Sequence, residues 1–306
     1  MMIDLNEKRS FLDEQNSNVN NIADNDIRFI QREIWGRVNK RRIIDYLARS
    51  GNADYQVVSN NINDLGISVF PYDFVKEYRE KDFLIKKDFD CGYWYIDNYF
   101  GKKLYMHPKY KSEFRAARYF NNLRIEQDKH SPHAYLSDDF KPDENDVLID
   151  IGGAEGIFAI QFVDVVKHIY IFECDEGWIS ALRKTFAGYE DKVTIIPKFV
   201  GNEDNDSMTT IDSFVKEYSL ENEHLFVKMD VEGNELSVLL GANCILDNKN
   251  KFKLAICAYH CGNHEQCFRT VFEGCHIETA EGYMLYYYDY NIQEPFVRRG
   301  VLRISN

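Results

Sequence analysis

The chain has 306 residues, 44% of them hydrophobic, which is enough for one large domain or two modest ones. Its formal net charge of −13 argues against extended contact with nucleic acid or an anionic membrane, because such contacts require a basic face. The sequence has neither a run of about 18 apolar residues nor an apolar N-terminal signal region, so we expect no membrane span. Together with seven cysteines, these features predict a cytoplasmic protein with reduced thiols.

Residues 1–108 are predicted to form an accessory region. Residues 1 to about 25 are polar and rich in Asn and Asp, which is typical of a loosely ordered terminus. Apolar residues recur at three- and four-residue steps over residues 26–49 and predict one or two amphipathic helices. Residues 65–78 suggest a short strand and then a helix. Three β-type runs between residues 83 and 106 predict a small antiparallel meander.

Residues 109–306 are predicted to form an α/β domain. A helix is expected between Phe114 and Asp128, and a polar segment over residues 126–135 follows it. That segment either folds over a ligand or is an ordinary polar loop. From Asp146 onward, short apolar runs alternate with helical patterns, which is typical of a parallel sheet.

A glycine-rich turn follows the first buried strand of this domain. An apolar run ends at Asp150, and Gly152, Gly153 and Gly156 precede a segment with helical spacing. Glycines let a ligand approach the backbone, and the N-terminus of the helix presents unpaired N–H groups. The spacing does not fit the dinucleotide fingerprint, which counts against an NAD-dependent oxidoreductase. Asp150, Gly152 and Gly156 instead fit the pattern acid-x-Gly-x-x-x-Gly. The simpler alternative is a glycine-rich turn that binds no ligand.

Polar residues also end the later predicted strands. Glu173 ends the second strand, where a carboxylate can accept both hydroxyls of a ribose. Val200 lies in the loop after the third strand, which we expect near an adenine ring. Asp230 and His260 follow the fourth and fifth strands. Because ligands bind at the carboxyl ends of parallel strands, these residues are predicted to surround one site.

His260 is the first candidate for a general base, because the unperturbed pKa of imidazole suits neutral pH. A capping or packing histidine is the alternative. Asp230 and Glu232 are rivals for the role of base, or bind the substrate or cofactor; the helix dipole alone could explain Glu232. We predict no metal site, because the cysteines and histidines of residues 257–275 lack paired Cys-x-x-Cys spacing. A divalent ion on Asp230, Glu232 and His260 remains open.

The segment from Val227 to Ala242 resembles the lysine-x-Asp-Val-Glu-Gly-x-Glu segment of the FkbM family of S-adenosylmethionine (SAM)-dependent methyltransferases. The turn after Asp150 is similar to the first motif of class I methyltransferases. Tyr259-His260 resembles the residues after the fifth strand of the family, and His133 lies in a segment similar to one in a bacterial subset. The resemblance covers about the last 160 residues. It implies a seven-stranded sheet with helices on both faces and a reversed last strand.

The resemblance also implies SAM as the cofactor and O-methylation of a sugar, glycan or related small-molecule hydroxyl. The methyl group then passes directly to oxygen, while His260, Asp230 and Glu232 bind the acceptor or remove its proton. Asp150 would meet the methionine end of SAM, and Glu173 its ribose. The predicted cofactor-binding residues are Asp150, Gly152, Gly153, Gly156, Glu173, Val200, Asp230 and His133. The alternatives are a SAM- or sugar-binding module without catalysis and, less favoured, an NAD-dependent oxidoreductase.

Overall fold

The structure, a computed structural model, describes residues 24–247, 251–287 and 294–306. The loosely ordered terminus predicted for residues 1 to about 25 therefore lies almost wholly outside the described residues. None of the helices in these described parts combines the length and the apolarity needed to cross a bilayer.

The chain divides into two compact units. The smaller unit contains the described parts of residues 1–71 and 285–296, and the larger contains residues 72–284 and 297–306. The predicted boundary between an accessory region (residues 1–108) and a methyltransferase domain (residues 109–306) stays a prediction.

Two helices that lie in contact form the smaller unit, α1 (Asp24–Arg49) and α2 (Ala53–Leu65). The sequence predicted α1, but it gave no indication of α2, which is capped by the Asn52 side chain accepting from the Asp54 backbone N–H. The strand predicted after Leu65 is wrong. Gly66, with φ of +91°, ends α2, and the residues before Tyr72 do not form a strand.

The larger unit begins with a single 3₁₀ turn (Asp73–Glu77) and the predicted meander. The meander strands are β1 (Ile85–Lys87), β2 (Trp94–Tyr99) and β3 (Lys102–Tyr105), paired antiparallel in that order. The predicted helix follows as α3 (Glu113–Glu126), and Ser112 caps it by accepting from the Arg115 backbone N–H. Leu104 is fully buried and belongs to the same apolar cluster as Leu148 of the main sheet, so the meander shares the core of the larger unit.

A seven-stranded sheet forms the centre of the larger unit. Its strands are β4 (Asp146–Ile151), β5 (His168–Phe172), β6 (Val193–Ile196), β9 (His224–Met229), β10 (Phe252–Cys257), β11 (His276–Thr279) and β14 (Val301–Ser305). The short strands are β7 (Phe199–Val200), β8 (Met208–Thr209), β12 (Met284–Leu285) and β13 (Val297–Arg298). The further helices are α4 (Ala159–Phe162), α5 (Glu176–Thr185), α6 (Ile211–Glu217), α7 (Glu235–Leu240), α8 (Asn243–Leu246) and α9 (His264–Val271).

The strand order is β11-β14-β10-β9-β4-β5-β6, and β14 alone runs antiparallel to its two neighbours. Side chains alternate across β4: Leu148 enters one apolar cluster with Leu182 of α5, whereas Val147 and Ile149 enter another with Val238 of α7. Helices therefore cover both faces. The predicted α/β fold with a reversed last strand is confirmed, and its strand order places the ends of β4, β5, β9 and β10 side by side.

Candidate active site

The glycine-rich turn after β4 has no room for a side chain at its glycine positions. A Cβ atom on Gly152 would lie 2.1 Å from the backbone oxygen of Asp230, and one on Gly153 would lie 2.2 Å from Ile171 Cγ2. Gly152 and Gly156 also have φ values of +77° and +79°, which favour glycine. The three predicted glycines are thus required by packing and backbone conformation, and they bring the turn directly against the end of β9.

Behind this turn lies a buried ion pair that the sequence did not reveal. Asp150 and Lys228 are direct neighbours in the parallel register of β4 and β9, so their side chains project from the same face. Lys228 Nζ lies 3.1 Å from Asp150 Oδ1 and donates to the Gly152 backbone oxygen at 2.6 Å. Burial would lower the pKa of Lys228, but the carboxylates of Asp150 and Asp230 raise it, so the ammonium stays charged.

Asp150 is 1% exposed, so in this geometry its carboxylate supports the turn through Lys228. A direct contact of Asp150 with the methionine end of a cofactor remains a prediction.

Glu173 connects the turn to the next βα loop. Its carboxylate accepts from the backbone N–H groups of Ala154, Cys174 and Asp175 at 2.9, 2.7 and 2.8 Å. Each carboxylate oxygen has two lone pairs, so acceptor capacity remains for a ligand hydroxyl. Val200 is buried in β7, and its predicted contact with an adenine ring also remains a prediction.

The Asp230 carboxylate lies close to three other side chains of the site. Its Oδ2 accepts from the hydroxyl of Tyr135 at 2.7 Å and lies 3.9 Å from His133 Nε2, while its Oδ1 lies 3.6 Å from His260 Nε2. Burial would raise the pKa of Asp230, but Lys228, His133 and His260 lower it, so the carboxylate is ionised at neutral pH. The polar segment of residues 126–135 therefore reaches the end of β9, as Tyr135 and His133 show. Tyr135 was not among the site residues predicted from the sequence.

His133 is held as a neutral imidazole. Its side chain is buried, its Nδ1 lies 3.1 Å from Gln127 Nε2, and its Nε2 lies 3.8 Å from Cys257 Sγ. Burial lowers the pKa of His133 to about 4 despite the nearby charge of Asp230. At neutral pH it can shape the site and share hydrogen bonds, but it does not carry charge.

His260 is clamped between acids on both ring nitrogens. Nδ1 lies 2.8 Å from Oε1 of the fully buried Glu235, and Nε2 lies 3.5 Å from Glu232 Oε2. Burial would lower the pKa of His260, but its contacts with Glu232 and Glu235 and the charge of Asp230 raise it to about 9. The unperturbed pKa that favoured His260 as a general base therefore does not apply, and the imidazole is protonated at neutral pH.

Glu232 and Glu235 differ in position and environment. Glu232 precedes α7, its side chain is 92% exposed, and its φ of +52° is unusual for a residue with a side chain. Glu235 lies in the first turn of α7, so the helix-dipole explanation suits Glu235 better than Glu232. The sequence signal for Glu235 was present, since it is the last acid of the motif that carries the family resemblance.

Two groups of metal-ligand type form around Asp230. One contains His133, Asp230 and Cys257, and the other contains Asp230, Glu235 and His260. Neither group includes Cys261, Cys267 or Cys275. Within the described residues, none of these three cysteines lies together with two further side chains of metal-ligand type.

The strand order, with polar residues at the ends of β4, β5, β9 and β10, is that of the class I methyltransferase fold. Residues 185–267 match the sequence profile of the methyltransferase FkbM domain. The match spans Asp230, Glu232, Glu235 and His260, and it confirms the resemblance to the FkbM family. The strand order and this match together support a SAM-dependent methyltransferase. No match was found among curated proteins.

Solved structures similar to part of the chain include methyltransferases with different acceptors. An rRNA methylase from Streptococcus thermophilus is 12% identical over 53% of this chain and 88% of its own, with a TM-score of 0.33. A precorrin-6y C5,15-methyltransferase from Geobacter metallireducens is 11% identical over 54% and 80%, with a TM-score of 0.34. TrmK from M. capricolum, solved with S-adenosylhomocysteine, is 13% identical over 53% and 63%, with a TM-score of 0.33. The fold assignment rests on the observed strand order, since these TM-scores are too low to support it.

Proposed function

We propose that the protein transfers the methyl group of SAM to a hydroxyl oxygen of a sugar, a glycan or a related small molecule. An oxygen lone pair forms the new bond to the methyl carbon, the carbon–sulfur bond breaks, and sulfur leaves as the neutral thioether of S-adenosylhomocysteine. The hydroxyl proton must pass to another group. SAM supplies the electrophile, so the protein has to align the three atoms and provide for the proton.

The observation that carries the proposal is the cluster of Asp230, Glu232 and His260 next to the glycine turn. An alcohol is a poor nucleophile at neutral pH and needs hydrogen-bond acceptors that can take its proton. Asp230 is ionised, and Glu232 is exposed to an arriving acceptor. We assign Asp230 and Glu232 to accepting the proton of the acceptor hydroxyl, and His260, which is protonated at neutral pH, to binding the hydroxyl oxygen.

The remaining predicted residues are assigned to SAM. The backbone of Gly152, Gly153 and Gly156 would border the cofactor, with the Asp150–Lys228 pair fixing the turn. The remaining lone pair on Oε2 of Glu173 would accept one ribose hydroxyl. Val200 and His133 would contact the rest of SAM as apolar and neutral surfaces.

A small hydroxyl acceptor is favoured over nucleic acid by charge. The chain carries a formal net charge of −13, and the acids of the site would repel phosphate groups. Location in the cytoplasm, where SAM is available, also belongs to this proposal.

The test is methyl transfer from isotope-labelled SAM to a panel of sugars, oligosaccharides and nucleotide sugars, with total RNA as a separate acceptor. We expect label in a carbohydrate product whose mass has risen by one methylene unit. Asp230→Asn should lower the rate at least about a hundredfold, as expected for loss of a catalytic carboxylate. Asp206→Asn, which changes an exposed loop acid, should leave it unchanged. Label found only in RNA, or SAM binding without transfer to any acceptor, would reject the proposal.

A further inference from the structure

His260 Nε2 is a buried nitrogen without a hydrogen-bond partner among the residues that the structure describes. The side chain is only 8% exposed, and Nε2 points to two carboxylate oxygens, Asp230 Oδ1 at 3.6 Å and Glu232 Oε2 at 3.5 Å. A buried polar atom without a partner usually costs free energy, so its position calls for a missing group. We propose that Asp230, Glu232 and His260 bind a divalent transition-metal ion.

The distances of the two carboxylate oxygens from His260 Nε2 suit a shared ion. If each donor lies roughly 2.1 Å from a metal, donors separated by 3.5–3.6 Å subtend about 110–120° at the ion, near the tetrahedral angle. Asp230 and His260 already lie together, and the exposed Glu232 side chain is free to rotate toward the ion. Glu232 is exposed on its outer side, which leaves coordination positions for water or an acceptor hydroxyl.

Glu235 binds the other nitrogen of the His260 imidazole, Nδ1. Its Oε1 accepts from His260 Nδ1 at 2.8 Å and from the backbone N–H groups of Val231 and Gly233, which fixes the carboxylate and the tautomer of the imidazole. A ligating histidine in proteins almost always donates its second nitrogen to such a carboxylate. The Glu235–His260 pair therefore has the form of a metal ligand with its supporting acid.

Charge also favours a cation on this side of Asp230. Three carboxylates, those of Asp230, Glu232 and Glu235, face His260, and His264 Nδ1 also lies 3.4 Å from Glu235 Oε2. The other group around Asp230 is a poorer site, because burial raises the pKa of the Cys257 thiol well above its usual range. A thiol that stays protonated is a weak ligand.

The donor set selects the kind of ion. One imidazole nitrogen with two carboxylate oxygens suits Mn²⁺, Fe²⁺, Co²⁺ or Zn²⁺ better than Mg²⁺ or Ca²⁺, which prefer oxygen ligands throughout. The role of the ion, though not its binding, rests on the proposed function. Binding of the ion would displace the proton from His260 Nε2 to solvent, because only the neutral nitrogen has a lone pair to donate. At this position the ion would bind the acceptor hydroxyl and lower its pKa, and the hydroxyl proton would leave to water.

The test is titration of the chelator-treated full chain with Mn²⁺ and Co²⁺, followed by calorimetry, electron paramagnetic resonance and the visible absorption of Co²⁺. We expect one saturable ion per chain. Asp230→Asn and Glu232→Gln should weaken binding at least roughly tenfold, and Glu235→Gln roughly ten- to a hundredfold. Glu232 is exposed, so its variant should fold normally. Asp206→Asn is the matched surface control.

Cys257→Ser distinguishes the two groups around Asp230, because it should leave Mn²⁺ and Co²⁺ binding unchanged if Glu232 and His260 are the ligands. Absence of saturable binding, equal binding by Glu232→Gln and the unaltered chain, or loss of binding in Cys257→Ser would overturn the proposal. The titration contains neither SAM nor acceptor, so failure of the methyl-transfer assay leaves its result intact.

Discussion

Glu155, in the glycine turn, should make the stability of the protein fall as pH rises. Its side chain is 3% exposed, and its Oε2 accepts from the hydroxyl of Tyr119 at 2.6 Å. Burial raises the pKa of Glu155 from 4.5 to about 7, against the opposing effect of the Tyr119 hydrogen bond. Because the folded-state pKa is raised, the contribution to stability is complete below about pH 4.5 and is lost as pH rises through 7.

The size of the effect follows from the two pKa values. Linkage gives a loss of about 2–3 kcal/mol in the free energy of unfolding between pH 5 and pH 8 from this single group. Glu155→Gln retains an acceptor for Tyr119 but cannot ionise. We therefore expect this variant to be more stable than the unaltered chain at pH 8, by an amount that shrinks toward pH 5.

Urea denaturation at pH 5, 6, 7 and 8 measures this difference directly, because all other titrating groups are common to both proteins. Tyr119→Phe is an informative second variant, since it removes the hydrogen bond that lowers the pKa and should steepen the pH dependence. Parallel stability curves for Glu155→Gln and the unaltered chain would refute the reasoning.

Two further substitutions test the polar groups around the turn. Lys228→Met leaves the Asp150 carboxylate buried without its partner and should lower the free energy of unfolding by about 3–5 kcal/mol, measured by urea denaturation; a change below about 1 kcal/mol would contradict the buried pair. Tyr135→Phe removes the hydroxyl that donates to Asp230 and should lower kcat for methyl transfer about tenfold while SAM affinity changes little. An unchanged kcat would show that this hydrogen bond does not act on the reaction.

The sheet was predictable because its signals are local. Asp150, Glu173, Asp230 and His260 each follow a short apolar run, and the alternation of such runs with helical patterns requires parallel strands. The reversal of β14 came from the family resemblance, since no local pattern of the chain gives the direction of a closing strand. Helix α2 was missed because polar residues dominate it and only Val58, Ser59 and Ile62 are buried.

The chemistry of the site was predictable in part. The residues that end strands were found, but their protonation depends on partners that are distant in sequence. The pairing of Asp150 with Lys228 requires the register of β4 and β9, and the raised pKa of His260 requires Glu235 to lie against its Nδ1. Neither contact leaves a periodic signal in the sequence, so the unperturbed pKa was the wrong starting value for His260.

The most direct test of the central claim is calorimetric titration of the purified chain with SAM, S-adenosylhomocysteine and NAD. The account predicts that the first two bind and NAD does not. Glu173→Gln should weaken SAM binding about tenfold or more, because charge-assisted hydrogen bonds contribute roughly 1.5–3 kcal/mol, whereas Asp206→Asn should bind normally. Absence of binding by both SAM and S-adenosylhomocysteine, or binding of NAD in their place, would contradict the account.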